Sequence, residues 1–246
     1  MENIYQKTYT VNDLHLDCFG RVKPSVLLFF AQDVAGDHAS LLGTGWDALA
    51  EKNLFWALIR HKIEITRLPV SGETITVQTW PMPTTRVAYP RATVAYDEKG
   101  QVLFRTIALW VLMDTQSRGM VLPGKSGVTV EGSIRGDELA SPASITPKEL
   151  ENVTACTVGY THLDRNGHMN NTRYLDWACD LLGSRFHQDH PARQINVCYL
   201  AEAKESQRID LQWALTEGNL LQVEATRKSA LDTGKQERVF ALEAQF

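Results

Sequence analysis

Cysteine is scarce in this sequence: there are four, Cys18, Cys156, Cys179 and Cys198. None forms a C-x-x-C pair and none stands at zinc-ligand spacing with histidine. Neither a disulfide framework nor a metal site is therefore expected, only buried or free thiols in a reducing compartment. A basic excess is also missing. Twenty-five Lys and Arg stand against 29 Asp and Glu, a net charge of −4, which argues against a dedicated nucleic-acid binder. There is no long hydrophobic run; the most apolar stretches, 26–31 and 107–113, are far too short to span a bilayer. The opening residues, MENIYQKTYTVNDLHLD, have neither the basic start nor the apolar core of a signal peptide. The expectation is a cytoplasmic protein, with an organellar mature form as the alternative. What remains is ordinary soluble composition, 43% hydrophobic and 22% charged over 246 residues. That is enough for a sizeable core without cross-links, in one large domain or two small ones.

An internal repeat organises the chain. At an offset of 147, the segment 10–36 lies on 157–183 without a gap, and ten of the 27 positions are identical. The identities include His15/His162, Leu16/Leu163, Asp17/Asp164, Gly20/Gly167, Ala31/Ala178 and Gly36/Gly183. Each copy opens alike: a short strand, a loop ending in L-D-x-x-G, then a helix. The first helix is expected over 25–42, apolar on almost every side and therefore buried. In the second copy Tyr174, Leu175, Ala178, Leu181 and Leu182 mark one buried helical face. Strands follow in each half: 55–66, one around Ile75 and Val77, 93–96 and 107–113, then 194–200, 209–215, 220–226 and 237–246. Turns are expected at 97–100, 217–219 and 232–234. The Gly-, Ser- and Pro-rich stretch between Pro123 and Pro147 reads as an interdomain linker. The pattern gives an α+β protein, each half a long helix covered by an antiparallel meander.

The two copies differ inside the loop. The first reads Leu16-Asp17-Cys18-Phe19-Gly20-Arg21-Val22-Lys23, the second Leu163-Asp164-Arg165-Asn166-Gly167-His168-Met169-Asn170. The shared Asp and Gly suit architecture: a carboxylate ahead of a helix, and a residue that tolerates a tight turn. Asn166, His168 and Asn170 occur in the second copy alone. His168 can act as base or acid near neutrality. Asp164 could orient it, Asn166 could hold a water or a carbonyl, and N–H groups at the helix start could receive an oxyanion. Asp, Asn and Gly also crowd ordinary turns, so spacing alone leaves a plain polar loop open.

The chain resembles the fatty acyl-ACP thioesterases of plants and bacteria over most of its length. The resemblance rests on Phe55-Trp56-Ala57-Leu58-Ile59-Arg60, Pro69, Gly72-Glu73, Thr79-Trp80 and Trp110-Val111-Leu112-Met113-Asp114 in the first half. In the second half it rests on the more specific D-x-N-x-H-x-N-N, present as Asp164, Asn166, His168, Asn170 and Asn171. It implies a tandem (double) hotdog: residues 1–123 an acyl-binding hotdog, 124–150 the linker and 151–246 the catalytic hotdog. It implies hydrolysis of acyl-ACP in fatty acid biosynthesis, with no cofactor and with acyl carrier protein, bearing a phosphopantetheine-linked acyl chain, as partner. Asp164, Asn166 and His168 are implied to be catalytic. So is Glu202, which stands in Tyr199-Leu200-Ala201-Glu202-Ala203 where the family has Y-x-x-E-C. Ala203 replaces a cysteine that many plant relatives carry there, so that thiol cannot be required here. Water attack and a covalent anhydride on Asp164 both stay open.

By the same resemblance Phe29, Phe30, Leu41, Leu42, Trp46, Leu54 and Phe55 are candidates for an acyl tunnel. Arg60, Lys62, Arg67, Arg86 and Arg91 are candidates for docking an acidic carrier. Rival readings are an acyl-CoA thioesterase, a hotdog dehydratase and a non-catalytic acyl-thioester sensor. No membrane span is expected, and a homodimer is possible.

Overall fold

The computed structural model of the chain describes residues 3–229 and 235–246. The chain divides into two compact units, Met1–Pro142 and Ala143–Phe246. The turn expected at 232–234 lies outside the described residues.

The first unit runs β1 (Tyr5–Thr10), α1 (Pro24–Leu41), α2 (Trp46–Ala50), β2 (Leu54–Ile65), β3 (Thr74–Pro81), β4 (Tyr89–Tyr96), β5 (Val102–Asp114), β6 (Met120–Val121) and α3 (Pro123–Ser126). Its sheet has the order β1-β3-β4-β5-β2, with β6 beside β5, and these pairs are antiparallel. The second unit runs β7 (Asn152–Thr157), α4 (Arg173–Asp180), α5 (Gly183–Asp189), β8 (Gln194–Tyr199), β9 (Arg208–Leu215), β10 (Leu220–Lys228) and β11 (Gln236–Gln245). Its order is β7-β9-β10-β11-β8, again antiparallel. Taken strand for strand, the two orders are the same topology, so the 147-residue repeat extends well beyond the 27 aligned positions.

Helix α1 opens on Pro24, which has no N–H to leave unsatisfied at a helix start. It buries Leu27, Leu28, Phe30, Ala31, Val34, Ala35 and Ala39. It is not buried all round as its composition suggested, since Phe29 is 48% and Leu41 72% exposed. An apolar residue on the outer face costs little, and a helix on one sheet needs only one covered face. The tunnel candidates divide accordingly: Phe30, Leu54 and Phe55 are buried, while Phe29, Leu41 and Trp46 are exposed.

The second unit departs from the expected long helix. Gly183 takes φ +68, and the chain breaks into α4 and α5 around it. Gly36, its repeat partner, lies inside α1. The difference has a visible cause. Lys7 on β1 bridges Asp33 (2.7 Å) and Asp37 (2.9 Å), one on each side of Gly36, and Tyr9 donates to Asp33 at 2.6 Å. These ties hold the helix across its weakest residue. At the matching positions of the second copy stand Thr154 and Ser184, which cannot form that bracket. Helix α4 instead fixes itself through Tyr174, whose ring packs 4.8 Å from Phe240 and 5.6 Å from Tyr199.

The stretch expected to be a linker is shared out. Residues 127–142 belong to the first unit without regular structure. Val128 is buried with Leu49, Leu54, Tyr89 and Leu112, and Tyr89 Oη donates to its carbonyl at 3.1 Å. Trp80 Nε1 donates to Glu138 at 3.0 Å. Gly132 approaches the Met82 backbone so closely that a Cβ would lie 2.1 Å from it, so only glycine fits. From Ala143 the chain joins the second unit, where Ile145 is buried against Cys198 and Ala241. Apolar residues placed among the Gly, Ser and Pro are the reason this segment lies down on its neighbours.

Candidate active site

The two L-D-x-x-G loops have one backbone. In each, a 3-10 turn (Asp13–His15, Tyr160–His162) leads in. A bridge then closes it, Leu16 with Val22 and Leu163 with Met169. The Asp17 N–H donates to the Arg21 carbonyl at 2.7 Å, and the Asp164 N–H to that of His168 at 2.8 Å. Gly20 and Gly167 both sit at φ +74, the left-handed region that the turn requires. The aspartate does the same work twice. Asp17 Oδ1 accepts from the N–H groups of Phe19 (2.9 Å) and Arg21 (3.0 Å). Asp164 Oδ1 accepts from those of Asn166 (2.8 Å) and His168 (3.3 Å). The expected carboxylate ahead of a helix thus ties the loop's own amides rather than the helix's.

The side chains then diverge. Arg21 turns back onto its own loop, at 3.2 Å from Asp17 Oδ2 and over the Phe19 ring. His168, in the same position, turns outward: its Nε2 stands 3.3 Å from Glu202 Oε2. Glu202 lies just past β8, and its segment is fastened at three points. Arg227 Nη1 donates to the Glu202 carbonyl and to Gln207 Oε1, both at 2.6 Å. The Met169 N–H donates to the Ala203 carbonyl at 2.8 Å. The Ala203 N–H bonds the Tyr174 phenol, whose burial pushes its pKa well above the ordinary value. Ala203 is fully buried, in the place where the resemblance had a cysteine.

The structure therefore brings His168 and Glu202 together, with Asp164 and Asn166 in the same loop. Asn166 Nδ2 lies 3.4 Å from Asp164 Oδ2. Asn170 is a turn residue, accepting from both the N–H and the hydroxyl of Thr172 ahead of α4 (2.9 and 2.8 Å). Arg227 and Tyr174 had no signal of their own as site supports: one reads as a strand charge, the other as part of an apolar helical face. Cys179 and Cys198 offer no nucleophile. Burial pushes the Cys179 thiol up to about 12, and Cys198 is buried against the Ala143 carbonyl. Among the described residues there is no cluster of three metal-binding side chains.

The docking candidates sort by their partners. Arg91 does not belong to a carrier surface: it is buried, donating to His38 Nδ1 at 3.0 Å and to Thr79 Oγ1 at 3.4 Å. Burial brings its pKa down to about 10. Arg67 pairs with Glu73 at 2.6 Å and Lys62 with Glu64 at 2.8 Å. Arg60 donates to the Pro142 carbonyl at 3.3 Å, and Arg86 is exposed.

Two sets of antiparallel strands of one topology, each with the helices of its own unit, define a tandem hotdog protein. The acyl-ACP thioesterase N-terminal domain profile matches residues 2–122, and the C-terminal domain profile matches residues 145–239; the chain belongs to the acyl-ACP thioesterase family. A solved acyl-ACP thioesterase from Bacteroides thetaiotaomicron is 26% identical with a TM-score of 0.88, covering 99% of this chain and 98% of that one. The 12:0-ACP thioesterase of Umbellularia californica shares the fold at 17% identity and TM-score 0.82, over 100% of this chain and 97% of that one. The chloroplastic palmitoyl-acyl carrier protein thioesterase of Gossypium hirsutum is 24% identical over 217 residues, 81% of this chain and 52% of the relative. The chain thus spans about half the length of the curated relatives it matches. Among the described residues no helix is long and apolar enough to cross a membrane.

Proposed function

We propose that this protein hydrolyses fatty acyl thioesters carried on acyl carrier protein, releasing free fatty acid in fatty acid biosynthesis. The observation that carries the reading is the 3.3 Å approach of His168 Nε2 to Glu202 Oε2; the matching residue of the first copy is Arg21, which pairs with Asp17 of its own loop. The catalytic set is Asp164, Asn166, His168 and Glu202. The Glu202 carboxylate takes a proton from water, whose oxygen bonds to the thioester carbonyl carbon. Asn166 Nδ2 donates its second N–H to the developing oxyanion. The C–S bond then breaks, and His168 protonates the departing sulfur. A proton passing from Glu202 to His168 restores both groups. Asp164, with one oxygen already taken by two amides and the other facing Asn166, is a poorer nucleophile than activated water, which favours direct attack over an anhydride.

The same reading gives the first hotdog, 1–123, the acyl chain and the second, 151–246, the chemistry, with 124–150 between them. It takes the carrier rather than coenzyme A as partner, a cytoplasmic location that suits four free cysteines, and a homodimer. The test is thiol release from acyl-ACPs of graded length, by wild type and His168→Ala. Wild type releases thiol and the variant loses about two to four orders of magnitude in kcat. Absence of release at every length rejects the function, and undiminished release by the variant rejects the site. A kcat/KM as high on acyl-CoA rejects the carrier, and a monomer by sedimentation rejects the dimer.

A further inference from the structure

Five buried side-chain atoms lack a hydrogen-bond partner among the described residues, and three of them belong to two neighbours in the first unit: His61 Nδ1 and Nε2, and Thr106 Oγ1. His61 is 2% and Thr106 1% exposed. The sheet register puts both on one face. Thr106 pairs with Ile63 and His61 with Ala108, so the two are diagonal neighbours on adjacent strands, within reach of one ligand atom. Thr93 pairs with Thr106, and Arg91 with Ala108. Arg91 bonds His38 of α1, which makes this the helix-covered face.

His61 and Thr106 end a polar seam that crosses four strands. His38 Nε2 meets Asn3 Oδ1 at 3.0 Å. Arg91 can only donate, so His38 Nδ1 is its acceptor and Nε2 carries the proton. Arg91 and Thr93 both donate to Thr79 Oγ1, at 3.4 and 3.2 Å, and Thr79 gives its own proton to the Ala92 carbonyl at 2.8 Å. Up to Thr93 every member is engaged. The last two are not, and a buried polar group left unpaired carries its whole desolvation penalty. Around them on this face stand Ile63, Ile75, Val77 and Phe104, all buried. A ligand fitting here is apolar along its length with one polar group.

We propose that His61 and Thr106 form a subsite for a hydroxyl group on a bound fatty acyl chain, so that the preferred substrates carry a hydroxylated chain. The inference rests on the reading that the first hotdog holds the acyl chain. A hydroxyl both donates and accepts. A neutral imidazole offers one nitrogen of each kind, and a threonine hydroxyl can take either part. Burial holds the His61 pKa down at about 4, so the ring stays neutral at physiological pH. A carboxylate would add a buried charge beside a neutral ring, whereas a hydroxyl adds none.

The experiment measures binding of free fatty acids to the full chain, comparing each saturated acid with its monohydroxylated forms, the hydroxyl stepped along the chain. One hydroxyl position is expected to bind about tenfold tighter than the parent acid. In Thr106→Val and in His61→Phe the ratio falls to about one. Thr106→Val preserves shape, so it decides the question if the histidine variant misfolds. No favoured position in wild type, as expected if the seam takes only ordered water, overturns the proposal. So does a ratio that Thr106→Val leaves unchanged. Thiol release from saturated acyl-ACPs is followed in parallel. Release without a hydroxyl preference rejects this subsite alone, whereas no release from any thioester rejects the hydrolase reading as well.

Discussion

The loops 16–23 and 163–170 share a backbone and differ in where one side chain points. In the first, Arg21 folds back on Asp17 and Phe19, and the loop closes on itself. In the second, His168 reaches a carboxylate 34 positions further along the chain. Asp17 and Asp164 accept from equivalent N–H groups in both. The comparison separates two kinds of residue within one motif: those that build the turn, and those that the turn presents.

Four outcomes are expected. The largest expected effect is that of Glu202→Gln. It removes the proton acceptor while leaving the loop intact, and kcat for thiol release falls by about two orders of magnitude with an unchanged melting temperature. A rate within a fewfold of wild type would leave His168 no better equipped than Arg21. Next come Asp17→Asn and Asp164→Asn as a pair. Each keeps an Oδ1 acceptor for the two amides, so each costs about 1 kcal/mol of stability or less in denaturant unfolding. Asp164→Asn lowers kcat by about tenfold at most, because its carboxylate positions the loop. A loss matching that of Glu202→Gln, together with acyl-enzyme trapped on wild-type Asp164, would restore the anhydride route.

The third concerns acid. Burial holds His61 at about 4 in the folded chain, against an ordinary value near 6.5. Burial, helped by the charge of Arg91, holds His38 at about 4 as well. The unfolded chain therefore binds protons first as pH falls through 6.5, and stability declines from there towards pH 4. For His61 the loss between about pH 7 and about pH 5 is roughly 2 kcal/mol. Protection factors for hydrogen exchange at α1, β2 and β5, corrected for the intrinsic pH dependence of exchange, should fall on acidification, and His61→Phe should flatten the dependence; an unflattened dependence removes His61 as the cause. The fourth concerns Gly20→Ala and Gly167→Ala. Both glycines have φ +74, and a Cβ at either meets nothing within 4 Å. Only backbone strain is added, about 1 kcal/mol each, and the two drops in melting temperature should match. Unequal drops would mean that the loops are not equivalent.

Much of this was legible, and the limits have physical causes. Periodicity placed the first helix at 25–42, and the structure has Pro24–Leu41. The repeat offset also matched the loops residue for residue. The same offset misled at Gly183, because its partner Gly36 stays helical through a lysine bracket on another strand, a long-range contact that no local pattern carries. Composition overstated the burial of α1, since Phe29 and Leu41 point outward. Arg91 read as a surface charge because a basic residue in a strand gives no sign of the histidine above it. Glu202 was reachable through family resemblance alone. Its anchors Arg227 and Tyr174 come from a strand and a helix remote in sequence, and chain order says nothing of that meeting.

The segment 127–142 bears on how the protein may be cut. It has the composition of a tether, yet it shields Trp80, Tyr89 and Leu112 with Val128, Gly132 and Glu138. A fragment ended at Pro123 would leave those side chains bare and invite aggregation. A fragment ended at Pro142 keeps that covering.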